Sequence, residues 1–192
     1  MVEPPLGSLP AVAAPLGIET IAGSIPKTDA APVHLWNPPY CGDIGLEIRA
    51  DGTWVYQGSA ITRRPLVELF ASVLRKDDDG KTYLVTPVEK VDVWVVDAPF
   101  LAVELQVSGS GEAQDIRLRT NLDTWVRIDR DHPIRFGLQE PTGGLKPYVL
   151  VRGRLEALVV RAVYFDLVEL VVTGAGDAAG LWSGGIWWPV SA

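Results

Sequence analysis

The residues best suited to chemistry in this chain are its two histidines, His34 and His132, and its single cysteine, Cys41. A thiol beside an imidazole can become a nucleophile, and an imidazole can act as acid or base near neutral pH. A zinc site would need three or four ligands at close spacing, which these residues do not supply. One hypothesis is therefore an enzyme that uses them. The alternative is two hydrogen-bonding histidines and a small buried thiol.

Two glycine-containing segments resemble ligand loops only superficially. Aligned on Gly80, the run 77–80 would place Arg75 and Thr86 where a calcium loop needs carboxylates. We interpret it as a solvated turn that ends a helix. The run 174–179 fits the loose dinucleotide pattern, but it follows a predicted helix instead of a strand. The sequence contains neither a Walker loop nor a Gly-x-Ser-x-Gly elbow.

The basic residues form a more suggestive pattern. Arg117 and Arg119 alternate with apolar residues along one predicted strand, and Lys146, Tyr148 and Arg152 do so along another. Guanidinium groups beside aromatic rings can hold a phosphate and stack a base. The alternative interpretation is a solvent-exposed sheet face on which the charges are paired.

Composition narrows the possible partners and the compartment. The net charge of −7 argues against a protein held on nucleic acid by its overall field. One cysteine cannot form an internal disulfide, which favours a reducing compartment. The N-terminal segment lacks a basic start and is interrupted by prolines, and no apolar run reaches membrane-spanning length. We therefore expect a cytoplasmic protein with neither a membrane nor a nucleic acid as its partner.

The elements that position these residues are mostly strands, and the expected fold class is α+β, with two small, mostly antiparallel β domains and helices. Alternation of apolar residues predicts a hairpin over 43–49 and 53–57. Apolar spacing predicts a helix over 65–76 and a largely buried helix from about residue 160 within 155–172. Further strands are predicted at 81–85, 88–96, 100–107, 114–120, 125–128, 147–151 and 181–190.

These elements suggest an extended N-terminal arm over 1–32, with one helical turn near 18–25, followed by two domains. The first domain is α+β and covers 33–92. The second is β-rich, covers 93–192 and carries a C-terminal helix. The order strand, helix, turn, strand begins at Trp54 and recurs from Tyr148, which indicates a weak internal repeat.

Longer segments resemble a proteobacterial family, domain of unknown function 1285 (DUF1285). The resemblance spans about residues 33 to 190 and lies in the segments 34–45, 51–54, 56–58, 83–90, 97–102, 119–121, 132–133, 146–149, 161–162 with Tyr164, and 182–185. It implies two domains built on a repeated motif, the second loosely like a pleckstrin-homology fold. It also implies a nucleotide-like ligand bound at the domain interface and a role in signalling.

With this resemblance, residue chemistry gives a candidate ligand site. Amides can read base edges, cations can hold phosphate and aromatic rings can stack. The candidate residues are Trp36, Asn37, Tyr56, Gln57, Lys90, Arg119, Asn121 and Arg152. We expect a nucleotide-based small molecule or a signalling protein as partner. We expect no catalytic residue, no metal site and no cofactor. The alternative to a ligand-binding module is an adaptor whose exposed tryptophans dock a protein.

Overall fold

A computed structural model describes residues 18–25, 31–139, 141, 143–174 and 177–191. Those residues form three short α-helices, α1 (Ile18–Ser24), α2 (Arg64–Ser72) and α3 (Arg161–Val168), beside a much larger number of strands. The fold is therefore mostly β with few helices, and the α+β class expected from the sequence is not confirmed. The likeness of the second domain to a pleckstrin-homology fold is not confirmed either.

The first sheet contains six strands in the order β3-β2-β1-β6-β5-β4. Its central neighbours, β1 and β6, run parallel, and every other neighbouring pair is antiparallel. Helix α2 lies between β3 and β4 in the chain. The strands are β1 (Tyr40–Ile48), β2 (Trp54–Tyr56), β3 (Ser59–Ala60), β4 (Leu74–Lys76), β5 (Thr82–Val85) and β6 (Lys90–Val95).

The second sheet repeats this topology, with the order β10-β11-β12-β7-β8-β9 and the parallel pair β7 and β12 at its centre. Its strands are β7 (Phe100–Ser108), β8 (Asp115–Thr120), β9 (Trp125–Arg127), β10 (Ile134–Gln139), β11 (Gly144–Arg152) and β12 (Leu155–Val159). The predicted repeat is confirmed, but the prediction matched the wrong strands of the two repeats with each other. Trp54 lies on β2 and Tyr148 on β11, and these strands are not equivalent in the two sheets.

Both predicted helices are present, but the first is shorter than predicted because strand pairing takes its last residues. Helix α2 ends at Ser72, and Leu74 then pairs with Leu84 on β5. Helix α3 begins at Arg161, close to the predicted start at about residue 160, and residues 155–159 before it form β12. The prediction that this helix is largely buried was wrong, since Phe165 is 54% exposed.

The C-terminal segment, predicted as one strand over 181–190, is part of a three-stranded sheet of β13 (Val172–Thr173), β14 (Ala179–Ser183) and β15 (Ile186–Pro189). Gly184 and Gly185 join β14 to β15 with φ angles of 61° and 72°. Positive φ at both central residues suits a two-residue hairpin turn, and glycine adopts it without steric cost. Gly180 serves another purpose, since a Cβ there would lie 2.4 Å from the Trp187 ring. Backbone conformation therefore explains Gly184 and Gly185, and packing explains Gly180.

The core is continuous across both sheets and includes Trp54, Phe70, Ile116 and Leu167. Helix α1 contributes to it through Ile21, which is fully buried. The described part of the predicted N-terminal arm is therefore helical and packed, while residues 1–17 and 26–30 lie outside the described residues. No helix among the described residues is long and apolar enough to cross a membrane.

Candidate functional site

A cleft of about 820 Å³ lies where the two sheets meet. One wall is the 3-10 helix Val33–Leu35 and the residues after it, and a second is the edge strand β4 with the turn that follows. The third is the turn between β11 and β12. The polar and aromatic residues that line the cleft are His34, Trp36, Asn37, Arg75, Lys76, Asp77, Asp78, Asp79, Arg152 and Arg154.

Arg75 fixes the aromatic wall of this cleft. Its guanidinium donates to the backbone carbonyls of Val33 and Trp36, each at 2.7 Å, and to the Asp77 carboxylate at 2.5 Å. The hydrogen bond from Arg75 lowers the pKa of Asp77 below its ordinary value. A residue of β4 thereby holds the loop that carries Trp36 and Asn37.

The acidic residues of the cleft all have partners. Asp77 also accepts from the Lys90 ammonium at 3.1 Å, Asp78 pairs with Arg154, and Asp79 accepts the Tyr83 hydroxyl at 2.6 Å. Among the described residues, no carboxylate lies within 4.0 Å of Lys76 or Arg152. The charge left open in the cleft is therefore the positive charge of Lys76, since the guanidinium of Arg152 lies against Ala71 and Phe100.

Arg152 joins the two repeats. Its guanidinium donates to the carbonyl of Ala71, in the last turn of α2, and lies 5.6 Å from the Phe100 ring. A cation suits this position because the last carbonyls of a helix lack intrahelical partners. The residue as a whole is exposed, but its charged end lies against protein, and the loss of water there lowers the pKa of Arg152.

Of the eight residues predicted to bind ligand, Trp36, Asn37 and Arg152 line the cleft. Lys90 lies behind it, paired with Asp77 and 4.3 Å from the centre of the Tyr83 ring. Lys90 therefore supports the acidic wall from the side of β6.

The structure places the other four predicted residues outside the lining of the cleft. Gln57 donates to the Tyr56 hydroxyl at 3.2 Å in the turn after β2. Arg119 is held by Glu104 and by Asp123, in ion pairs of 2.5 and 2.6 Å. The Asn121 side chain accepts the Leu101 N–H at 3.1 Å, which shapes the β8–β9 turn.

The three residues of the enzyme hypothesis have separate surroundings. His34 is exposed at the cleft, whereas Cys41 is buried with its sulfur 3.6 Å from the Pro39 carbonyl oxygen. The His132 ring lies 3.2 Å from Asp129 in the second repeat. Among the residues described, no hydrogen bond joins two of these three, and no group of three or more His, Cys, Asp or Glu could hold a metal ion.

Sequence reasoning missed Lys76 and Arg154 at the cleft. Residue 76 falls within the helix predicted over 65–76, where it would be a solvated lysine at the helix end. It faces the cleft because β4 pairs with β5 and brings this edge beside the β11–β12 turn. We find no local signal that would have indicated this.

Both halves of the chain match models of one known protein family. Residues 31–98 match the family model described as "Domain of unknown function (DUF1285), N-terminal domain", and residues 99–190 match "Protein of unknown function (DUF1285), C-terminal domain". The chain belongs to the DUF1285 family. The resemblance noted in the sequence is therefore confirmed. The two family models meet between residues 98 and 99, whereas the predicted boundary at 92/93 falls inside β6.

Two solved structures of DUF1285 proteins are similar to this chain. The protein from Silicibacter pomeroyi DSS-3 is 43% identical, with a TM-score of 0.86 over 92% of this chain and 95% of that one. The protein from Shewanella baltica OS155 is 29% identical, with a TM-score of 0.52 over 65% of this chain and 91% of that one. No functionally curated protein matches the chain.

Proposed function

We propose that this DUF1285 protein is a binding module that takes a small anionic, nucleotide-like molecule in the cleft between its repeats. The observation that carries the proposal is Lys76, a lysine of the cleft wall with no described carboxylate within 4.0 Å. It lies beside aromatic and amide side chains, in a protein whose net charge is −7. An acidic protein does not attract anions through its overall field, so a local positive site favours the binding of a specific anionic ligand.

Each polar wall has a role in this proposal. Lys76 and Arg154 hold the anionic group of the ligand. Arg154 is available because its partner Asp78 has a side chain that is 90% exposed, and exposed ion pairs contribute little. Trp36 stacks on the ring of the ligand, and the Asn37 amide reads its edge.

The cleft has walls from both repeats, so a ligand that touches both stabilises one arrangement of the two. This is the physical basis for a role in signal transduction, with the relative position of the repeats as the output. We place the protein in a reducing, cytoplasmic setting, consistent with the buried thiol of Cys41. The proposed activity is binding without turnover.

The test is a thermal-shift screen against mononucleotides, cyclic nucleotides and dinucleotides. A ligand present at about 100 times its dissociation constant stabilises the fold by about 2.7 kcal/mol. For a chain of this size the midpoint then rises by about 5–11 °C. We expect the shift to fall in Lys76→Gln and in Asn37→Ala.

Lys81→Gln is the matched control. Lys81 lies on the same β4–β5 hairpin, is exposed, and does not line the cleft. Arg119 was also a predicted ligand residue, but it is paired with Glu104 and Asp123 and does not line the cleft. We therefore expect Arg119→Ala to leave the ligand-induced shift unchanged. A flat screen with folded wild-type protein, or equal losses in Lys76→Gln and Lys81→Gln, refutes the assignment.

A protein-interaction adaptor is the second candidate, and Trp94 favours it with 72% exposure on the central strand β6. The C-terminal tryptophans support it less. Trp182 and Trp187 are half-buried and meet edge to face at 5.4 Å, and the Trp188 indole donates to the Ser183 carbonyl at 3.2 Å. If Trp94→Ala abolishes capture of a defined partner that wild-type protein binds, the adaptor function is established.

A further inference from the structure

A second, smaller cavity of about 170 Å³ lies between α2 and the second sheet. Helix α2 contributes Glu68, Ala71 and Ser72, and the second repeat contributes Phe100, Thr120, Thr124 and Arg152 among others. It therefore lies at the junction of the repeats, and only Arg152 lines both this cavity and the larger cleft.

The charged end of Arg152 lies in this smaller cavity. The carbonyl that accepts its hydrogen bond belongs to Ala71, and the ring 5.6 Å away belongs to Phe100; both residues line the cavity. A guanidinium has five N–H donors, and the described residues supply one acceptor here. Within the described part of the chain no carboxylate lies within 4.0 Å of it. A guanidinium with open donors and no carboxylate partner is suited to bind an anion.

Hydroxyl groups complete the lining. The Thr120 oxygen accepts the backbone N–H groups of Leu122 at 3.3 Å and Thr124 at 3.1 Å, which leaves its own O–H to donate. The Thr124 side chain lines the same space. The acid of the cavity, Glu68, is paired at 2.7 Å with Arg64, which also pairs with Asp123.

We propose that this cavity binds a small oxyanion of phosphate size on the Arg152 guanidinium. The planar fork of a guanidinium matches two oxygens of such an anion, and threonine hydroxyls donate to the remaining ones. The bound anion stabilises the junction of the repeats because Arg152 also holds α2 through Ala71. This cavity shares only Arg152 with the ligand cleft, and the proposal does not depend on the function proposed for that cleft.

The experiment is a titration of the full chain with inorganic phosphate at constant ionic strength, followed by the thermal midpoint. In wild-type protein the midpoint rises with the logarithm of phosphate concentration above the dissociation constant, by about 5–11 °C at 100 times that constant. Arg152→Gln loses this rise and Arg152→Lys keeps part of it. Thr124→Val weakens phosphate binding by about 3–10-fold, the effect of one hydrogen bond. Lys76→Gln, which changes only the larger cleft, leaves phosphate binding unchanged.

Three results would overturn the proposal. The first is no rise of the midpoint with phosphate in wild-type protein. The second is an equal rise in wild type, Arg152→Gln and Thr124→Val, because phosphate then acts only through general exclusion from the protein surface. The third is a loss of binding in Lys76→Gln but not in Thr124→Val, which places phosphate in the larger cleft. If Arg152→Gln does not fold, the exposed position Thr124 decides the question, because its replacement leaves the Ala71 contact intact.

Discussion

Replacing Ser183 by alanine should weaken the attachment of the C-terminal hairpin to the second sheet. The Ser183 side chain is fully buried, donates to the Ile128 carbonyl at 2.7 Å and accepts the Ile116 N–H at 3.0 Å. Alanine keeps the packing of Cβ but leaves these two backbone groups without that partner. Each buried group that loses its partner costs about 1–3 kcal/mol, so for the two groups we expect a loss of about 2–6 kcal/mol in the free energy of unfolding.

Urea unfolding measures this loss as a lower transition midpoint with an unchanged slope. In a thermal scan the midpoint should fall by about 4–24 °C. The matched control is Ser59→Ala on the edge strand β3, where the serine is exposed and the expected change is within about 0.5 kcal/mol. If Ser183→Ala loses no more stability than Ser59→Ala, the two hydrogen bonds do not hold the hairpin and our reasoning fails.

Two further predictions concern packing and pH. Gly180→Ala should lower the free energy of unfolding by about 1–3 kcal/mol and change the near-UV circular dichroism, because its Cβ would lie 2.4 Å from the Trp187 ring. Gly23→Ala is the control and should not lower stability, because a Cβ there would have nothing within 4 Å. Equal effects of the two substitutions would contradict this prediction. The pKa of Asp77 is lowered in the folded state by Arg75, so its stabilisation is present above the unfolded pKa and is lost as pH falls through the folded one. Asp77→Asn should therefore flatten the decline of stability below about pH 4, measured by urea unfolding; an unchanged decline would count against the pair.

Most strands could be predicted from the sequence because their alternation is local. Residues 100–107 and 114–120 were predicted as strands and are β7 and β8 almost to their ends. Strand β10 was missed. Its apolar residues Ile134, Phe136 and Leu138 alternate with Arg135, Gly137 and Gln139, so the signal was present in the sequence and was overlooked.

The site was only partly predictable. Trp36 and Asn37 stand in a rigid, proline-flanked loop, and a feature of that kind is visible in the sequence. Arg119 has the same chemistry as Arg152, and only tertiary contacts distinguish them. Arg119 has two carboxylate partners, whereas Arg152 crosses to α2 and has none among the residues described.

By itself the sequence determined the family, the strand-rich composition of the fold and the presence of a repeat. These properties depend on local alternation and on ordered segments that no long-range contact needs to supply. The tertiary structure decided the register of the repeat, because β1 pairs with β6 and β7 with β12 across long stretches of chain. It also decided which cationic side chains have no carboxylate partner among the described residues. Charge pairing depends on which strands become neighbours, and the periodicity of one segment does not determine which strand lies beside it.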